Sequence, residues 1–132
     1  MSPLPASRVV VAEDHPVMRA LISSTLRKAG FEVDEFADGQ MLWHQLDPLG
    51  AQDNRLKPDL IVTDVRMPRC SGLELLERLR HSDWVQLPVI VMTAFGDHEL
   101  HSEARRLGAA SVFNKPFDVR ALVREVQRLV PH

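Results

Sequence analysis

The sequence has one cysteine, no apolar run longer than four residues and little excess of either charge. A lone Cys70 cannot close an internal disulfide, and it excludes a metal site built from four cysteines. Both absences suit a cytoplasmic protein. The longest apolar runs, Val9 to Ala12 and Val89 to Met92, fall far short of the roughly 20 residues that a membrane helix needs. The N-terminus shows no basic segment leading into an apolar one, so no secretory signal is expected. Sixteen Lys and Arg against eighteen Asp and Glu give a net charge of −2, which argues against a surface built to grip nucleic acid or an anionic membrane. No internal repeat and no low-complexity segment is present.

What the chain does have is a 45% apolar content over 132 residues, enough for the core of one domain. Short β-branched runs alternate five times with longer stretches of helical period. The runs cover 8–12, 31–36, 59–63, 88–92 and 111–113. The helical stretches cover about 16–29, 39–46, 72–80, the segment ending near Gly108, and 118–130. In the first helix Val17, Leu21, Ile22 and Leu26 are read as its buried side. In the last, Val119, Leu122, Val123, Val126 and Leu129 face inward, and Arg120, Arg124, Glu125 and Arg128 face outward. Gly30 is a natural helix stop. Residues 47–58, with Pro48, Gly50, Asn54 and Pro58, read as a loop. Residues 1–7 read as a frayed tail and 8–132 as one domain.

Five β-α units in succession imply an α/β fold: a five-stranded parallel sheet, doubly wound, with helices on both faces. The first, third and fourth runs lack polar alternation, as strands covered on both faces should. The second alternates, as an edge strand does. In such sheets the functional site lies beyond the carboxyl ends of the strands. The polar residues there are Glu13 and Asp14, then Asp64, Thr93 and Lys115. Two like charges about 4 Å apart repel by about 4 kcal/mol at an effective dielectric near 20. Three clustered carboxylates therefore require a cation or a held proton. Lys115 supplies one charge, and Mg²⁺ suits one or two carboxylates together with phosphate oxygens. The layout fits a carboxylate that accepts a phosphoryl group, with the protein positioning and neutralising charge.

These residues stand in recognisable strings: Val11-Ala12-Glu13-Asp14-His15, Asp64-Val65-Arg66-Met67-Pro68 continuing to Ser71-Gly72-Leu73-Glu74-Leu75, Val91-Met92-Thr93-Ala94, and Gly108-Ala109 running on to Lys115-Pro116-Phe117. In this order, each at a strand end, they resemble the receiver domain of two-component response regulators over about residues 8–130. The resemblance implies a flavodoxin-like (βα)5 fold of strand order 2-1-3-4-5. It implies Asp64 as phosphoacceptor, charged by a phosphohistidine on a sensor histidine kinase or phosphotransfer protein. It implies Mg²⁺ (or Mn²⁺) held by Asp14, Asp64 and the backbone carbonyl of Arg66, with Glu13 acting through a metal-bound water. Lys115 would pair with a phosphoryl oxygen and the Thr93 hydroxyl would swing in to another, repacking the face of helix four, strand five and helix five. A cis Lys115–Pro116 bond is implied as well.

Three positions depart from the receiver pattern. Val112 stands where an aromatic switch residue is usual, and Phe113, one place later, belongs to the opposite face of the strand. The 47–58 loop is longer than a minimal receiver needs. Arg66 and Phe95 are bulky and could shield a phosphoryl group, giving it a longer lifetime than fast-cycling receivers allow.

Simpler roles fit the remaining residues: Cys70 an inert thiol, His98 and His101 solvated, Trp43 and Trp84 packing, the arginines of the last helix a wet face. A phosphatase would want a second acid where Arg66 stands. A nucleotide or flavin carrier would want a Gly- and Ser-rich cradle where Glu13-Asp14-His15-Pro16 stands. The expectation is a signalling module and not an enzyme, beyond self-catalysed phosphotransfer and autodephosphorylation. It is expected to have no direct nucleic acid binding and no membrane contact, and to form a phosphorylation-dependent homodimer if it dimerises. The output is left open: a separate partner, or a domain of a larger regulator or hybrid kinase.

Overall fold

The structure, a computed structural model, describes residues 6–46, 56–94 and 97–130. Five strands, β1 (Arg8–Ala12), β2 (Glu32–Phe36), β3 (Leu60–Asp64), β4 (Val89–Ala94) and β5 (Ser111–Lys115), alternate with five helices, α1 (Pro16–Lys28), α2 (Gly39–Leu46), α3 (Gly72–Arg80), α4 (His98–Arg106) and α5 (Val119–Leu129). All pairings are parallel, in the order β2-β1-β3-β4-β5. The α/β architecture and the strand order therefore stand as expected.

The helix starts follow local chemistry. Pro16 lacks an amide hydrogen, which costs nothing at a first helical position, and His15 Nδ1 accepts from Met18 N–H at 3.4 Å. Ser71 Oγ accepts from Glu74 N–H at 3.2 Å and opens α3. Asp97 and Asp118 cap α4 and α5 in the same way, supplying acceptors to otherwise unpaired amides. Gly30, at φ +101°, ends α1, a conformation that only glycine enters cheaply.

Each face of the sheet has its own core. Alternate side chains of the strands separate, Val10, Ile61 and Val91 to one side with α2, α3 and α4, and Val9, Val11, Val62 and Ile90 to the other with α1 and α5. The central strands are buried on both faces, while β2 is only partly covered, as its alternation anticipated. Val112 packs with the α3–α4 side and Phe113 with the α1–α5 side, where it meets Phe117 edge-on at 5.5 Å. Trp43 and Trp84 pack against the first core, and Cys70 is fully buried.

Two expectations about helix faces need correction. Val17 and Leu21 are 72% and 47% exposed. The seam of α1 runs through Ile22, Ser23 and Leu26 with Met18 beside it, so the buried stripe lies one residue further round the helix. Glu125 is not on a wet face: it is half-buried, accepts from Ser111 Oγ, and pairs with Arg128. Strands β3, β4 and β5 also run one or two residues past their apolar cores. Their ends keep the ladder, Thr93 opposite Asn114 and Ala94 opposite Lys115.

The 47–58 loop lies outside the described residues except for its last three positions, as does most of the 1–7 tail. Ser7, placed in that tail, accepts a hydrogen bond from Glu32 N–H at 3.0 Å. The Lys115–Pro116 bond is cis.

Candidate functional site

The register fixes what shares the carboxyl edge of the sheet. Ala12 stands opposite Thr63, Asp64 opposite Met92, and Ala94 opposite Lys115. Glu13 and Asp14 follow directly on β1, so acids from two central strands meet a lysine from the sheet edge. The Lys115 Nζ donates to Glu13 Oε1 at 2.6 Å and to Asp64 Oδ2 at 2.8 Å. One carboxylate oxygen each from Glu13, Asp14 and Asp64 can be chosen so that all lie within 4.8 Å of one another. At that separation two full charges repel by about 3–4 kcal/mol at an effective dielectric near 20. One ammonium against three carboxylates leaves the pocket short of positive charge.

Burial sharpens the imbalance. Glu13 is fully buried and Asp64 nearly so, whereas Asp14 is exposed. Burial pushes the Glu13 carboxyl above its ordinary range, and the nearby Asp64 charge adds to this. Hydrogen bonds from Lys115 and from His15 N–H only partly offset it. Burial works to lower the Lys115 ammonium, but its bonds to Asp64 and Glu13 outweigh that and raise it. An all-oxygen donor set with excess negative charge, one member open to solvent, fits a hard divalent cation.

Asp64 is held by its surroundings. Its Oδ1 accepts from Arg66 N–H at 3.3 Å. The loop that follows turns tightly: Arg69 has φ +70°, and Cys70 N–H donates to the Pro68 carbonyl at 2.8 Å. A Cβ at Gly72 would lie 2.3 Å from the Asp64 carbonyl oxygen, so α3 can start this close to Asp64 only with glycine. Thr93 is buried at the end of β4, and its Oγ1 has no hydrogen-bond partner among the described residues.

Glu13, Asp14, Asp64 and Lys115 are thus brought together as the sequence implied, with Thr93 at the end of the neighbouring strand. The Arg66 guanidinium goes elsewhere: Nη2 lies 3.2 Å from Asp97 Oδ2 at the start of α4. Together they border a cleft of about 670 Å³ that Asp14 also lines. Phe95 lies outside the described residues. His98 is exposed, and among the described residues neither it nor His101 joins a metal-ligating group. The sequence reading missed Arg19, whose Nη1 donates to the Glu13 carbonyl at 2.9 Å. A signal was available, because helical side chains lean toward the N-terminus and a first-turn arginine can reach the preceding loop.

Residues 9–127 match the family described as response regulator receiver domain. The chain is 37% identical over 122 residues to the C4-dicarboxylate transport transcriptional regulatory protein DctD of Pseudomonas aeruginosa, covering 92% of this chain and 25% of that protein. It is 29% identical over 126 residues to sporulation initiation phosphotransferase F of Bacillus subtilis, covering 94% of each. Among solved structures, the chemotaxis protein CheY4 of Vibrio cholerae superposes with a TM-score of 0.81 at 28% identity, covering 96% of this chain and 100% of that one. A putative response regulator from Chloroflexus aurantiacus gives 0.83 at 26% identity, covering 95% and 98%. The chain thus spans nearly the whole of some relatives and a quarter of others.

Proposed function

Because the chain belongs to the response regulator receiver domain family, a receiver of two-component signalling, we propose that Asp64 is the carboxylate on which it takes the phosphoryl group. The observation that carries this reading is Lys115 Nζ bridging Glu13 and Asp64 at the end of the sheet. An Asp64 oxygen forms the new bond to phosphorus as the phosphorus–nitrogen bond of a donor phosphohistidine breaks, and the imidazole leaves with the electron pair. The product is an acyl phosphate. Its hydrolysis returns the carboxylate and inorganic phosphate, so the protein limits its own signal without turning over a substrate of its own.

Asp14, Asp64 and the Arg66 carbonyl are the groups to hold Mg²⁺ or Mn²⁺, with Glu13 acting through water. The ion, when bound, supplies two positive charges against the phosphoryl oxygens. Lys115 keeps its ammonium beside Asp64 and is placed to pair with another of those oxygens. Thr93 brings a hydroxyl without a competing partner among the described residues, so a new acceptor at Asp64 can recruit it. That movement is the local event by which the α4–β5–α5 face would change toward an output domain, a separate partner or a second copy of the chain. The donor is a sensor histidine kinase or a phosphotransfer protein, and the setting is cytoplasmic.

The test is incubation of the full chain with acetyl phosphate and Mg²⁺, followed by intact mass. A gain of one phosphoryl group that needs the metal and is absent from Asp64→Asn is expected. A gain that persists in Asp64→Asn, or that forms in EDTA, overturns the assignment.

A further inference from the structure

The exposed Asp14 carboxylate has no side-chain hydrogen bond among the described residues, so its position follows from its backbone. That backbone is clamped one residue earlier. Glu13 N–H donates to the Phe36 carbonyl at 3.0 Å, and the Glu13 carbonyl accepts from Arg19 Nη1 at 2.9 Å. The second bond orients the peptide that joins Glu13 to Asp14. Arg19 is steadied in turn by Glu35, with Nε 3.8 Å from Oε1. Glu35 also accepts from Arg27 Nη2 at 3.1 Å, and that Arg27 nitrogen donates to the Val33 carbonyl at 3.1 Å. Arg27 makes none of these bonds to the loop carrying the acids.

We propose that Arg19 is a positioning residue for divalent cation binding: by holding the Glu13 carbonyl it fixes the direction in which Asp14 presents its carboxylate beside Asp64. This rests on reading Glu13, Asp14 and Asp64 as the cation site. Two physical effects of removing Arg19 have opposite signs. As a nearby positive charge it repels a cation, so on electrostatics alone its loss tightens binding. As a clamp it pre-organises the acids, and its loss weakens binding, because partners that orient metal ligands typically contribute about 10–100-fold in affinity.

Titration of the full chain with Mn²⁺ alone, read by electron paramagnetic resonance, separates the two when paired with thermal melts in EDTA. Arg19→Ala is expected to bind Mn²⁺ about tenfold more weakly or worse. Arg19→Lys, which keeps a donor and the charge, is expected to recover part of the loss. Arg27→Ala is the stability control: it lowers the melting temperature while keeping wild-type affinity. Unchanged or tighter binding by Arg19→Ala overturns the proposal, as does an equal loss in Arg27→Ala, which would mark general loosening. If Arg19→Ala does not fold, Arg19→Lys decides: weaker binding than wild type supports the role, and equal or tighter binding overturns it. A wild-type chain that takes up no Mn²⁺ overturns the cation-site reading itself, and is told apart because wild type and variants are then alike blank.

Discussion

Lys115 carries the charge balance of the pocket, and pH should report it. Its ammonium is raised above its ordinary value of 10.5 through its bonds to Asp64 and Glu13, against the pull of burial. A group raised on folding binds its proton more tightly in the native state, so its contribution is complete below pH 10.5 and is lost as pH rises through the folded value. The chain has no tyrosine, and its lysines are Lys28, Lys57 and Lys115, so few other groups titrate there. The buried Cys70 thiol, raised by burial, acts with the same sign. Stability measured by urea unfolding is expected to fall above pH 10.5, and less steeply in Lys115→Met. An identical alkaline limb in both proteins would remove the lysine from the account. Thr93 gives a second test at this scale. A buried hydroxyl with no protein partner costs about 1–3 kcal/mol, and valine has the same shape without it. Thr93→Val is expected to raise stability by about 1 kcal/mol while removing the conformational response to phosphorylation, followed by NMR shifts on α4 and β5. A destabilised variant would mean that the hydroxyl is satisfied after all.

At the scale of elements, what holds the ends of the helices and strands in place is often one long side chain. Arg80, at the end of α3, donates to the carbonyls of Val85 at 2.7 Å, Leu87 at 3.5 Å, Leu107 at 3.2 Å and Gly108 at 2.8 Å. It therefore ties the α3–β4 connection to the end of α4. Burial lowers its guanidinium from the usual value, and a guanidinium stays charged even so. Its removal leaves carbonyls that lose charged donors. Arg80→Ala is expected to cost about 2–3 kcal/mol in chemical denaturation, with the urea dependence of the unfolding free energy unchanged. A cost under about 0.5 kcal/mol, ordinary for a surface change, would show that water replaces these bonds. Arg80 reads in the sequence as a helical surface arginine, and nothing in the string Arg78-Leu79-Arg80 signals carbonyls near residue 108. The helix faces were only partly legible for a related reason. Apolar spacing gave a stripe on α1 but not its rotation, and Val17 and Leu21 face solvent because only the seam through Ile22 and Leu26 meets the sheet.

The whole molecule is balanced against its own site: a near-neutral chain of net charge −2 keeps three carboxylates at one edge of its sheet. A divalent ion that binds the folded arrangement and not the unfolded chain must stabilise the fold by mass action. At a hundredfold excess over its Kd the gain is about 2.7 kcal/mol, on the order of 10 °C in melting temperature for a domain of this size. Mg²⁺ is expected to produce such a rise, EDTA to reverse it and Asp14→Asn to abolish most of it. A melting temperature indifferent to Mg²⁺ would refute the site. The order of elements, the parallel sheet and the strand ends bearing Glu13, Asp14, Asp64, Thr93 and Lys115 were determined by the sequence alone, because period, breakers and β-branched runs are local properties that folding preserves. The contacts between distant segments were decided only in three dimensions: Lys115 between two acids, Arg19 on the Glu13 carbonyl, Arg66 turned to Asp97, Glu125 on Ser111. They depend on register and helix rotation, and one residue of either redirects a side chain to another partner.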